Sequence, residues 1–224
     1  MSDLAQDAAR RPRLNRSDRR KLILDTTVIL LAKHGAEGTT LRSLCREMEV
    51  APSLLTHFFD GWHEVLAATY DMITQRFLAH LDDLTKANFP DERTRMKYLI
   101  RHYLATDWAG ESTIGAMMAL WQLSRTVTFL RGSFTRFLAD RHRVLHPAVK
   151  ALTEEAESEI DLDEVTFSFL LMMDGIWLHM SLNPGNISEE QAEELCWSWL
   201  VSRLDKKSWK SNQPIPFGAR LARH

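Results

Sequence analysis

The stretch from Thr39 to Leu66, TTLRSLCREMEVAPSLLTHFFDGWHEVL, admits few folds. Thr40 suits a helix N-cap, because its hydroxyl can accept from an unpaired backbone N–H of the first turn. Leu41, Leu44 and Met48 then recur at helical spacing as one apolar stripe. Glu49-Val50-Ala51 makes a short turn, and Pro52 suits the first turn of a second helix, where its missing N–H costs nothing. On that second helix Leu55, Phe58 and Phe59 are placed to face inward, leaving Ser53, Thr56 and His57 outward. Two short helices braced in this way predict a helix-turn-helix that can lie in a major groove and reach base edges. The same spacing also fits an ordinary helical hairpin inside a core.

Composition sets the frame around this stretch. A chain of 224 residues with 45% hydrophobic content can build a sizeable core. Its net charge of −2 gives no global mark of nucleic-acid binding, so any basic surface must be local. Cys45 and Cys196 are far apart and show neither a disulfide framework nor a zinc spacing, which fits a reducing cytoplasm. No signal-peptide pattern follows the first arginines, and no stretch is expected to span a bilayer.

Residues 1–15 read as a flexible basic arm. The basic cluster continues through Arg16, Arg19, Arg20 and Lys21, and Ser17 can cap the helix that follows. That helix carries Leu22, Ile23, Leu30 and Leu31 and is expected to stop at Gly35, a residue suited to a left-handed helix end. Arginines beside a helix-turn-helix can neutralise phosphates or enter a minor groove. In isolation such a run is more commonly a solvated tail, and its place beside this hairpin favours DNA.

From Trp62 to about Ala87 one long amphipathic helix is expected, broken by Phe89-Pro90-Asp91. It runs across the junction between a DNA-binding domain at 16–66 and a second domain at 67–204. Further helices are expected at Glu92–Trp108, Thr113–Thr128, Phe129–Val144, Asp163–Ser181 and, after a Ser188/Gln191 capping box, up to Leu204. Residues 205–224 read as a tail. No alternating strand pattern or internal repeat is present, so the fold class is all-α. The last two helices are more apolar than one small domain needs and carry Trp177, Trp197 and Trp199. They are candidates for a homodimer interface built as a four-helix bundle, or they close a monomeric core.

The N-terminal stretch resembles the DNA-binding domain of TetR-family regulators. The residues that carry the resemblance are Arg19-Arg20, Ile23-Leu24, Gly35, Thr40, Leu44, Val50, His57-Phe58-Phe59 and Leu66. Within that family the LLTHFF stretch and Asp174-Gly175-Ile176-Trp177-Leu178 are similar to the BetI group of choline-responsive repressors. The resemblance implies a dimeric repressor of double-stranded operator DNA that reads a palindrome and responds to a small-molecule effector. Pro52, Ser53, Thr56 and His57 would then meet bases or sugar edges. Thr40, Arg42 and Trp62, with Arg16, Arg19 and Arg20, would hold phosphates. Three positions depart from the family pattern: Glu49 replaces the usual turn glycine, Ala51 the usual Ser or Thr cap, and Trp62 the usual lysine.

A choline-like effector would need an aromatic cage. Tyr103, Trp108, Trp121, Phe129 and Trp177 are available for one, with Glu111 or Asp174 as counter-charge. Each aromatic also serves as ordinary core, and an apolar or aromatic effector fits the same residues. His142 and His146 sit four apart but have no carboxylate or thiolate at ligand spacing, so no metal site is expected. No cofactor loop, nucleophile elbow or catalytic constellation can be argued. The expectation is a regulator and not an enzyme, with a helical protein-interaction adaptor as the alternative.

Overall fold

The computed structural model describes residues 15–105 and 110–204, with side chains for all of these except 110 and 111. Among the described residues the structure is helical throughout, with nine helices and no strand. Helix α1 (Arg16–Gly38) is capped by Asn15, whose Oδ1 accepts from the Asp18 N–H at 2.8 Å, and not by Ser17. The helix begins two residues earlier than the sequence suggested, so Asn15, an equally strong N-cap type, takes the position. At Gly35 the backbone leaves the helical region (φ 66°), which is where the sequence predicted the stop. A single further turn follows before α2 (Leu41–Glu47), α3 (Pro52–Thr56) and the long α4 (Trp62–Lys86).

The second half comprises α5 (Glu92–Leu104), α6 (Gly110–Ser124), α7 (Thr128–Glu155), α8 (Leu162–Leu182) and α9 (Glu189–Leu204). Helix α5 ends at Leu104, and Gly110, Glu111 and Ser112 open α6 where the sequence had suggested a helix end. The largest correction concerns α7, which runs on through Pro147 for two more turns. An interior proline costs about 3 kcal/mol. Burial of Leu145, Ala148, Val149 and Leu152 on either side of it supplies more than that in packing. The Ser188/Gln191 capping box forms as expected, with the Ser188 N–H donating to Gln191 Oε1 and the Gln191 N–H to Ser188 Oγ.

Two apolar clusters organise the helices. The smaller joins Ile23, Leu24 and Leu30 of α1 to Leu44 and Cys45 of α2, Leu55 of α3, Phe59 and Val65. The larger takes Val28 and Leu31 from α1 and fills the rest of the bundle. Helices α1 and α4 therefore feed both clusters, and Trp62 and Met72 pack against each.

Helix α1 also packs along α6. The crossing is close: a Cβ placed on Gly115 would sit 3.0 Å from the Ala32 Cα and 3.1 Å from its Cβ. Only a residue without a side chain allows these two backbones to meet.

One helix departs from the expectation that nothing in the chain could span a bilayer. By length and composition alone, α8 is long and apolar enough to cross a membrane. In the fold it buries Val165, Phe169, Leu170, Met173 and Trp177 in the bundle. Its outer side carries Phe167 (51% exposed), Leu171 (49%) and Leu182 (67%), with Gly175 and half-buried Leu178 on the same stripe.

The Gly115 crossing yields a direct expectation. Gly115→Val should lower stability by about 1–3 kcal/mol, the usual cost of overpacking. A reduced urea midpoint with an unchanged slope would show it.

Candidate nucleic-acid interface and effector site

Helix α2 starts on a reciprocal cap: the Ser43 N–H donates to Thr40 Oγ1 at 3.1 Å, and the Thr40 N–H to Ser43 Oγ at 2.8 Å. The turn to α3 is held by backbone bonds from Met48 to the Leu44 carbonyl and from Val50 to the Cys45 carbonyl, both 3.0 Å. Between them Glu49 is forced to φ 54°. This is the position where the family pattern has glycine, and a side chain there costs roughly 1–2 kcal/mol. Ala51 caps α3 without a side-chain hydrogen bond, and Pro52 follows it in the first turn. Leu55 and Phe59 anchor the short helix in the smaller cluster, while Phe58 is half-buried against it.

The face left outside carries Pro52, Ser53, Thr56 and His57, all exposed, with Thr40 and Arg42 exposed nearby. The Thr56 hydroxyl donates to the Ser53 carbonyl at 3.0 Å, so its oxygen is presented outward as an acceptor. His57 stands edge-on to Phe58, with ring centroids 5.2 Å apart. The first turn of α1 lies over the same unit: the Arg20 guanidinium is 4.9 Å from the Phe59 ring centroid, and that of Arg16 is 6.0 Å from Phe58. Stacking of this kind preorganises two cations beside α3. Arg19 is half-buried. Trp62, expected at a phosphate, is half-buried and divides its packing between the two clusters. Arg10, Arg11 and Arg13 lie outside the described residues.

A second polar constellation joins α5, α7 and α8 in the larger bundle, with Arg141 and Tyr103 buried and Asp174 half-buried. Arg141 of α7, 4% exposed, makes a bidentate pair with Asp174 of α8, through Nη1 to Oδ1 and through Nη2 to Oδ2 at 3.0 Å. Tyr103 of α5 donates to Asp174 Oδ1 at 2.6 Å and also contacts Arg141 Nη1. The guanidinium lies 4.5 Å from the Phe137 centroid and 5.9 Å from that of Tyr103. Burial opposes its charge, but Tyr103 and Asp174 outweigh that, so Arg141 is held protonated above its ordinary value. Burial drives the Tyr103 phenol well upward, and does the same to Tyr70 of α4. Both phenols therefore remain donors at neutral pH.

Trp121 of α6 and Trp177 of α8 meet edge-to-face in this region, with centroids 5.6 Å apart. Four buried polar atoms here have no hydrogen-bond partner: Tyr70 Oη, Trp121 Nε1, Trp177 Nε1 and Arg141 Nε. The Trp121 indole lies near enough to Tyr70 to bear on its ionisation, but the pair does not reach hydrogen-bond geometry.

Of the aromatic candidates, the structure brings Tyr103, Trp121 and Trp177 together. Phe129 is a correction: it is 65% exposed at the start of α7 and borders a shallow surface depression with Arg20, Met72 and Arg136. With no apolar partner fixed by its position in the first turn, its ring stays outside the bundle. Trp108 lies outside the described residues, as does the Glu111 side chain. Asp174 serves as a counter-charge, but to Arg141. That arginine was missed in the sequence, although the signal was present: Leu130, Phe137, Arg141 and Leu145 share one helical stripe, and a charge stands at a core position.

His142 and His146 do have a carboxylate beside them, because Asp163 Oδ1 is 3.4 and 3.5 Å from their Nε2 atoms. Among the described residues no group of three or more His, Cys, Asp or Glu is arranged to hold a metal ion. Both cysteines are buried, and burial pushes the Cys196 thiol up to about 12.

Residues 90–205, more than half of the chain, match the family described as the C-terminal domain of BetI-type transcriptional repressors. The HTH-type transcriptional regulator BetI of Vibrio campbellii is 22% identical over 189 residues, covering 83% of this chain and 92% of the relative. That of Burkholderia ambifaria is 22% identical over 185 residues, covering 83% and 93%. Among solved structures, a transcriptional regulator from Pseudomonas aeruginosa PAO1 superposes with a TM-score of 0.80 at 22% identity, covering 90% of this chain and 98% of that one. A TetR transcription regulator from Haloarcula marismortui gives 0.73 at 18% identity, covering 84% and 100%.

The left-handed turn residue generates an expectation of its own. Glu49→Gly should stabilise the protein by about 1 kcal/mol, since glycine adopts this backbone without a Cβ clash. Thermal unfolding of the two proteins, compared at one pH and concentration, would read the difference as a higher Tm in the variant.

Proposed function

This chain belongs to the TetR family through a BetI-type C-terminal domain, and we propose that it is a dimeric, ligand-released repressor of a palindromic operator. That it is a DNA-binding transcriptional regulator, and not an enzyme, follows from the family. The observation that carries the rest is the outer face of α3, polar and exposed on a helix whose inner side is locked into its own small core. In this reading residues 16–66 read DNA, with Pro52, Ser53, Thr56 and His57 toward base edges. Arg16, Arg19, Arg20, Thr40, Arg42 and the free edge of Trp62 face phosphates. Residues 67–204 bind the effector and the second copy. Such a regulator works in the cytoplasm, where its DNA is.

The outward stripe of α8 supports dimerisation. Phe167, Leu171, Gly175, Leu178 and Leu182 follow one another at intervals of three or four residues, and Leu195 of α9 is exposed beside them. Two such helix pairs related by a twofold axis bury these groups in a four-helix bundle.

The route from effector to DNA runs along α6. Trp121 near its C-terminal end belongs to the buried polar cluster, and Gly115, less than two turns away, presses on the backbone of α1. A small molecule entering among Tyr70, Tyr103, Trp121 and Trp177 displaces Trp121, and α6 carries that displacement to α1 and the helix-turn-helix. Release requires the effector to favour the conformer whose half-site spacing no longer fits the operator.

A mobility-shift assay on the DNA upstream of its own gene tests the reader. His57→Ala should cost about 1–3 kcal/mol on the specific site, and Arg42→Ala should weaken all sequences and reduce the salt slope by about one. If both variants behave like wild type on a specific site, the assigned face is wrong. If no specific site is found there or by selection from random DNA, an interaction adaptor replaces the repressor. Gly175→Arg tests the dimer, because a Cβ at Gly175 meets nothing within 4 Å in the single chain. The variant should fold, sediment as a monomer and lose operator binding, whereas a folded dimeric variant would refute the α8 interface.

A further inference from the structure

Resting on the reading that the buried cluster is the effector site, its donor and acceptor balance identifies the class of molecule it takes. Among the described residues Asp174 is the carboxylate of the cluster, and both of its oxygens are already engaged, Oδ1 by Tyr103 and Arg141 and Oδ2 by Arg141. It has no uncompensated charge to offer an ammonium group. A cation is moreover already stacked on the aromatic rings: the Arg141 guanidinium, 4.5 Å from Phe137 and 5.9 Å from Tyr103. A quaternary ammonium entering here would meet a like charge already held beside Tyr103, one of the rings that should receive it.

The unsatisfied capacity is of the opposite kind. Arg141 Nε, Trp121 Nε1 and Trp177 Nε1 are buried without partners, and each can only donate. Tyr70 Oη, also unpartnered, carries a proton that can be given. Arg141, Trp177 and Tyr70 are 4, 6 and 2% exposed, so these groups are withdrawn from bulk solvent. The four groups come from α4, α6, α7 and α8: Trp121 and Trp177 meet edge-to-face, and the Tyr70 ring and the Arg141 guanidinium both pack on Phe137. Phe137 and the inner side of α8 belong to the same buried apolar cluster and supply its carbon surface.

We propose that this site takes an apolar or aromatic molecule presenting an oxygen acceptor, a carboxylate or a carbonyl, and excludes quaternary ammonium compounds such as choline. The oxygen accepts from the two indole N–H groups and from the Arg141–Tyr70 side, while the carbon skeleton lies against the aromatic rings. The Arg141–Asp174 pair stays intact as the wall that orients the donors.

The test uses the full-length protein without DNA, so that failure of operator binding does not enter the result. Benzoate, benzamide, benzyltrimethylammonium and choline are titrated separately, read by thermal shift and by quenching of tryptophan fluorescence. Benzoate or benzamide should raise the Tm, and the two ammonium compounds should not. Trp121→Phe and Trp177→Phe keep a ring and remove one donor; each should weaken the responding oxygen compound about five- to tenfold, the equivalent of one hydrogen bond. Benzoate binding with benzamide silent assigns a carboxylate, and the reverse assigns a neutral carbonyl. Stabilisation by either ammonium compound overturns the proposal, as does an oxygen compound whose affinity survives both tryptophan substitutions, or silence from all four. If an oxygen compound binds as described but the protein recognises no operator, the site assignment stands and the repressor reading falls.

Discussion

A guanidinium inside a helical bundle must be matched or it unfolds the bundle, and in this protein Arg141 is matched by one carboxylate and two aromatic faces. Removing one partner of a buried pair of this kind costs about 3–5 kcal/mol, because the other is left charged and unpaired. The pair consequently fixes how α5, α7 and α8 approach one another, since Tyr103, Arg141 and Asp174 come from those three helices. It also determines the chemistry of the space beside it. Once Asp174 is committed to Arg141, the unmet groups among the described residues of the cluster are ones that can donate, and unmet buried donors cost about 1–3 kcal/mol each. A molecule that supplies acceptors to them recovers that energy on binding. In the proposed site the same interaction both positions three helices and sets which ligand is accepted.

The mechanical side rests on a second, purely steric constraint. Helices α1 and α6 touch through Gly115 and Ala32 at a separation that leaves no room for a side chain on α6. Tightly packed helices transmit displacement instead of absorbing it, because protein interiors have low compressibility. On one side of this crossing α6 holds Trp121 in the polar cluster; on the other, α1 lends Ile23, Leu24 and Leu30 to the core under the recognition helix. Further ties run from Arg76 of α4 to Asp25 of α1 and from Arg136 of α7 to Asp71 of α4, but these are exposed ion pairs of small individual weight.

Much of this was legible in the sequence, for identifiable reasons. The helix-turn-helix was readable because its signals are local: Thr40 caps, Pro52 starts a helix, and Leu44, Leu55 and Phe59 repeat at helical spacing. The strain at Glu49 could be posed as a question from the missing glycine, and φ 54° answers it. Helix ends were less legible where tertiary packing overrides a local breaker, as at Pro147. In the C-terminal half the residue types were visible but their partners were not. Asp174 was read as a counter-charge for a ligand, whereas the fold gives it to Arg141, 33 residues away in sequence. Phe129 shares composition with the cage candidates, yet its place in the first turn of α7 leaves it outside.

The central claim, that occupation of the Arg141 cluster reaches the DNA-reading face through α6 and α1, is tested most directly by a distance. Spin labels on His63→Cys, an exposed position in the first turn of α4, report the separation of the two DNA-reading units in the dimer. Cys45 and Cys196 are buried and should not take the label. The account predicts one separation with operator DNA and a different one with a bound benzoate or benzamide probe. Identical distance distributions with DNA and with a probe shown to bind would contradict it.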